Sequence, residues 1–303
     1  MSALQWILVL LGWFSLFVFV LGTAYKAVKY YIMPLNLRWE VYPVPHETKE
    51  KRHYGGSYME EVDWVKKPRH TSLIGEITEM GSEILFLKKI WKYNSYNIWP
   101  FSLAMHWGIY LLFFWIFLLM AGIVLETDVI YKTTGIIGIA AFILGTFGCL
   151  MLIIRRITNK ELNLYTEPVE YFNLSLLLSI FITGIISWFI DPSFLYSRRY
   201  IKGIITFNLP PILPVVVLNF ILFEAFLIYM PFSKYLHFVA KYFNFHQSLW
   251  DDAFKVKDSE IDKRIIKQLS YNIKWAGPHV VPDKSWLEES QLAVLEEKKG
   301  ETK

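Results

Sequence analysis

The 303-residue chain is predicted to be all-α and polytopic in a membrane: a bundle of five transmembrane helices with its N-terminus outside and its C-terminus cytoplasmic. Three observations lead there. The chain is 54% hydrophobic and 17% aromatic, with a mean hydropathy of +0.33. Several apolar runs approach the ~20 residues that cross a bilayer as helix. The alternating segments of a barrel are absent, so helices are the way to satisfy backbone polar groups in lipid.

The first apolar run, 4–24, belongs to a segment 1–24 that reads as a retained transmembrane helix. It is not read as a signal peptide, because MSALQ carries no positive charge and Lys26 and Lys29 follow the run. Residues 25–100 are too polar to insert and form a loop with LRWEVYPVPHE, a turn-rich YGGSY, EEVDWVKKPR and an amphipathic helix around 76–92. Four further spans at 101–123, 134–154, 170–190 and 213–238 make a transmembrane core over 101–238. The tail, 239–303, shows helical periodicity near 260–269 and frays over its last ten residues. No internal repeat suggests an inverted-repeat transporter, and spans two to four are almost wholly apolar, which disfavours a transport pathway.

Lysine and arginine set the orientation. Residues 25–100 hold 12, residues 155–168 hold 3 and the chain from Lys234 onward holds 12, against Lys132 alone between spans two and three and Arg198, Arg199 and Lys202 between spans four and five. The positive-inside rule then puts the long loop and the tail in the cytoplasm, as expected for a multi-pass protein of the inner membrane. This topology accounts for the net charge of +4, which is therefore no argument for nucleic acid.

The one cysteine, Cys149, lies within the third span. An internal disulfide, a C-x-x-C-H haem attachment and a four-thiolate iron–sulfur cluster are all excluded, so any iron–sulfur chemistry belongs to another subunit. No G-x-x-x-x-G-K sequence is present, which disfavours an ATP-driven pump. Cys149 and the aromatic run FFWIF read as packing, and Lys88, Lys89 and Lys92 as headgroup anchors for the loop helix, with a haem propionate or an acidic partner as their alternative.

Of seven histidines, His46, His53 and His70 fall in the loop and His246 and His279 in the tail; only His106 and His237 belong to spans. Both lie roughly 10–15 Å from mid-span toward the cytoplasm, at 1.5 Å per helical residue. Two imidazoles at one depth on different helices are what a buried b-type haem needs as axial ligands, and an interfacial hydrogen-bonding role is the alternative for each. His246, nine residues beyond His237, overshoots that depth and is the substitute ligand. Glu224 is the carboxylate deep in the fifth span. Burying it costs about 2.5–3.5 kcal/mol on insertion scales, which points to a proton path or quinone contact, or to a protonated acid bonded to a neighbouring helix. On a continuous helix it is turned about 140° from His237.

On five spans, RRIT at 155–158 and PFSKYLH closing the last span, the chain resembles the cytochrome b family of the respiratory nitrate reductase gamma subunit. FNFHQSLWDD, WAGPHV and LRWEVYPVPHE make it more similar to the related membrane subunits that accompany heterodisulfide-reductase-like iron–sulfur proteins in anaerobes and sulfate reducers. In the nitrate-reductase branch, histidines eleven apart on the second span and eighteen apart on the fifth ligate two haems. Here His106 and His237 match the pair for the inner haem, while Phe117 and Asn219 replace the pair for the outer one. The resemblance thus implies one b haem, a quinone as exchangeable substrate with its pocket nearer the inner face, and a cytoplasmic heterodisulfide-reductase-like iron–sulfur subunit as partner, with further cytochrome subunits compatible.

The expected function is an electron-transfer subunit relaying electrons between the membrane quinone pool and that partner in anaerobic respiration, the oxidoreductase chemistry lying partly in other subunits. The alternative from a different class is a haem-free anchor that docks a cytoplasmic oxidoreductase through its loop and tail.

Overall fold

The computed structural model describes residues 1–33, 45–54, 56–68, 70–250, 256–277 and 280–291. In chain order the helices are α1 (Ala3–Tyr31), α2 (Lys49–Tyr54), α3 (Leu73–Phe86), α4 (Lys88–Tyr93), α5 (Trp99–Leu125), α6 (Asp128–Thr158), α7 (Lys160–Leu164), α8 (Pro168–Ile190), α9 (Leu195–Ile205), α10 (Pro214–Tyr229), α11 (His237–Asn244), α12 (Glu260–Leu269) and α13 (Trp286–Glu289). Among the described residues there is no strand, only the isolated bridges Asn272–Ser285 and Gly277–Val280. Five helices are long and apolar enough to cross a membrane: α1, α5, α6, α8 and the segment Pro214–Phe232.

The span boundaries follow local chemistry. Pro100, Pro168 and Pro214 occupy the first turns of α5, α8 and α10, where a missing N–H costs nothing. Thr127 caps α6, whose first turn holds Asp128 and whose last holds Arg155 and Arg156, matching the helix dipole at both ends. The last span differs from expectation. Instead of one helix over 213–238, α10 stops at Tyr229 and 3-10 turns at Met230–Phe232 and Lys234–Leu236 precede α11. Pro231 has no N–H to extend the α ladder, so helical phase does not carry from Glu224 to His237, and the 140° relation does not apply. The loop helix around 76–92 is likewise two helices, broken at Leu87, which takes a left-handed conformation (φ 50°).

By their internal contacts the segments form two units, 1–24 with 77–236 and 25–76 with 237–303. In the first, α5 packs on α6, α6 on α8, and α8 on α10, while α9 packs on α5 and α10. The core contains Trp115, Phe142, Phe181, Phe194, Tyr200 and Phe226, each with under 2% of its surface exposed. Small residues let the backbones close. A Cβ on Gly108 of α5 would lie 2.5 Å from Gly145 Cα on α6, and one on Gly148 would lie 2.3 Å from Met105 N. In lipid, where burying apolar surface between helices gains little, such close packing is a principal source of association. The outer faces carry large apolar side chains such as Leu10, Phe17, Ile136 and Phe189, all more than half exposed.

Within the second unit, the end of α1 meets the tail. Tyr30 packs on Phe243 with centroids 6.1 Å apart, Gln247 donates to the Tyr31 carbonyl at 3.4 Å, and Arg264 donates to the carbonyls of Tyr31 and Met33. Ser259 caps α12, the helix expected near 260–269, and a Ser285–Glu288 capping box starts α13. In the loop, Glu61 bridges Lys51 and Lys67 and is held down to about 2 by hydrogen bonds from both ammonium groups.

Candidate functional site

His106 sits two turns into α5, on the stripe opposite Gly108. Two residues turn a helix by about 200°, so the imidazole projects away from the face pressed against α6. Phe113, seven residues on and nearly in line with His106, reaches Phe223 of α10, with centroids 5.9 Å apart. The close contacts at Gly148–Met105 and Gly108–Gly145 bracket this turn and hold its backbone against α6.

Its Nδ1 lies 2.7 Å from the Ser102 carbonyl oxygen. A carbonyl only accepts, so Nδ1 carries the proton and Nε2 bears the ring's lone pair. This is the tautomer of a metal-ligating histidine whose second nitrogen is oriented by the backbone. Tyr110 lies edge-on to the imidazole with centroids 6.2 Å apart, and Tyr110 and Trp107 donate to the carbonyls of Ile84 and Leu85, as Trp99 does to that of Phe86. Three aromatic side chains of α5 thus satisfy the exposed carbonyls ending α3 and fix that end beside the turn carrying His106.

His237 opens α11 directly after the 3-10 turns. His246 lies in a π-helical turn, Phe245–Leu249, with Nδ1 2.9 Å from the Tyr242 carbonyl and its ring stacked on Tyr242 at 4.3 Å. The Nδ1 arrangement is thus common to His106 and His246 and does not by itself separate them. His279, most of LRWEVYPVPHE, Asp251 and Asp252 of FNFHQSLWDD and Pro278 of WAGPHV lie outside the described residues. Among the described residues, no three or more His, Cys, Asp or Glu side chains converge as a metal site.

Phe117 and Asn219, the two positions that the resemblance sets against a second histidine pair, have unrelated surroundings. Phe117 stacks on Phe114 and is 58% exposed on its unit. Asn219 is buried and donates from Nδ2 to the Ile180 carbonyl at 2.7 Å and to Thr183 Oγ1 at 2.8 Å, tying α10 to α8. Trp115, Phe142, Phe194, Phe220 and Tyr200 form a connected aromatic cluster of edge-on and stacked pairs, with the closest rings, Tyr200 and Phe220, stacked 4.4 Å apart.

Glu224 is 4% exposed; its Oε1 accepts from the Tyr200 hydroxyl at 3.1 Å, and its Oε2 is buried without a hydrogen-bond partner. Tyr200 belongs to α9, a helix between the fourth and fifth spans that is not among the expected elements. Its signal was present in the apolar spacing of Leu195, Tyr196, Tyr200, Ile201 and Ile204, but three basic residues obscured it. Arg198 of α9 is also buried and lies over the Tyr131 ring at 3.9 Å. Lys88 pairs with Glu79 at 2.7 Å, so part of the charge assigned to headgroups is met within the protein.

No family model, curated protein or solved structure matches the chain.

Proposed function

We propose that the chain is the membrane cytochrome b subunit of a respiratory redox complex in the inner membrane, holding one b haem between His106 and His237 and relaying electrons between quinone and a cytoplasmic heterodisulfide-reductase-like iron–sulfur subunit. The observation that carries it is His106 itself: an imidazole inside a span, turned away from the face packed on α6, with Nδ1–H spent on a carbonyl and Nε2 holding the lone pair. The chemistry of the donor fits an axial ligand. His237 is the partner by sequence depth and by its place in PFSKYLH, with His246 the substitute.

The haem would supply one-electron transfer. This chain's residues do the rest: Ser102 sets the tautomer of His106, and the Gly108–Gly145 contact keeps its helix turn rigid. The single-haem reading is supported by Asn219, whose amide donors both serve the link to α8, and by Phe117, which faces outward on its unit.

The test is a dithionite-reduced-minus-oxidised spectrum with pyridine haemochrome stoichiometry on the purified full-length chain, repeated for His106→Ala, His237→Ala and His246→Ala. One b haem per chain, lost in both variants, is expected. No haem in intact, folded protein would replace this reading with that of a haem-free anchor, and two haems would refute the assignment of Phe117 and Asn219. Loss in His106→Ala and His246→Ala, with His237→Ala unaffected, would move the second ligand to His246.

A further inference from the structure

A buried carboxyl has two oxygens to satisfy, and Glu224 has a partner for one of them. Its Oε1 accepts from Tyr200, a role that any amide carbonyl would fill as well, while Oε2, the atom a proton would occupy, meets no hydrogen-bond partner. The group is enclosed by α1, α9 and α10. A Cβ on Gly12 of α1 would lie 3.3 Å from Glu224 Oε1 and 3.1 Å from the Ile204 side chain, so α1 closes directly over the carboxyl. Tyr200 is itself 1% exposed and stacked face to face on Phe220 at 4.4 Å and 13°, which holds the phenol in place. An ionised carboxylate there keeps one strong donor, the phenol, and a neutral acid keeps the same bond through its carbonyl oxygen. The pair tolerates both protonation states without rearranging.

We propose that Glu224 and Tyr200 form a buried proton-transfer site, with Glu224 Oε2 taking and releasing the proton and the Tyr200 hydroxyl donating to Oε1 throughout. An O–H bond forms at Oε2 as one breaks on a hydroxylic donor, whose oxygen keeps the electron pair; no electron moves, and the negative charge passes from the carboxylate to the donor. That the donor is a quinol hydroxyl rests on the function proposed above. The exchangeable proton does not.

The experiment is infrared spectroscopy of the full-length chain in lipid bilayers, in H2O and after transfer to D2O, for the wild type, Glu224→Gln and Tyr200→Phe; it needs neither haem nor quinone. A protonated-carboxyl C=O band is expected, shifted in D2O, absent in Glu224→Gln and displaced in Tyr200→Phe, which keeps the ring stack but loses the donor. Should the Gln variant fail to assemble, the displacement in Tyr200→Phe assigns the band. A band that stays unmoved in D2O would make Glu224 a locked structural acid, and absence of any band that Tyr200→Phe displaces would leave no protonated Glu224; either overturns the proposal. A colourless protein with the exchanging band would refute the cytochrome while sparing the proton site.

Discussion

At the residue scale, burial and hydrogen-bond supply separate side chains that look alike in sequence. Asn219, a polar residue in an apolar span, holds α10 to α8 through two donated bonds. Asn219→Ala should therefore destabilise the protein by about 1 kcal/mol, the usual scale of interhelical polar contacts in membranes, measured by reversible unfolding in mixed micelles. Glu61 offers a different check. Its pKa, held to about 2 by Lys51 and Lys67, lies below the unfolded value of about 4.3, so its ion pairs contribute fully above that unfolded value and are lost as pH falls through about 2. Nuclear magnetic resonance titration of the Glu61 carboxyl should show this depression, and Lys51→Met should raise the midpoint. His106 and Glu224 were legible in sequence because ionisable residues are rare in apolar runs. Tyr200 was not, because nothing in a sequence says which helix a tyrosine will meet.

At the scale of elements, the glycines of α6 decide how closely it approaches its neighbours. Gly145 faces Gly108 on one side and the Phe181 ring on the other, where its Cβ would come within 2.3 Å. Gly145→Leu should cost about 1–3 kcal/mol or more through overpacking, and a parallel substitution at the exposed Ile143 should cost little. Thermal aggregation in detergent compares the two; equal midpoints would mean that the helices do not meet at this glycine. The last span shows the limit of reading helices by apolar length. Hydropathy runs on from Asn219 toward Leu236, yet Pro231 withdraws a backbone donor and the α geometry ends at Tyr229.

At the scale of the whole molecule, the distribution of lysine and arginine predicts the topology. Alkaline phosphatase fused at Glu126 or Phe207 should be active, and fused at Tyr165 or Ser290 inactive, with green fluorescent protein giving the reverse pattern. The opposite result at all four positions would invert the proposed orientation.

The sequence by itself determined the class of this protein and four of its spans to within a few residues at most ends. Composition leaves the backbone no partner but itself, and prolines, caps and terminal charges act over one turn. Tertiary structure alone decided that Gly108 meets Gly145, that Asn219 binds Thr183 and that Tyr200 reaches Glu224, contacts between residues 24 to 37 positions apart. Such pairings depend on which helices become neighbours and how each is rotated about its axis. In lipid, where both faces of a span are apolar, hydrophobic patterning carries little of that information, and close packing supplies it.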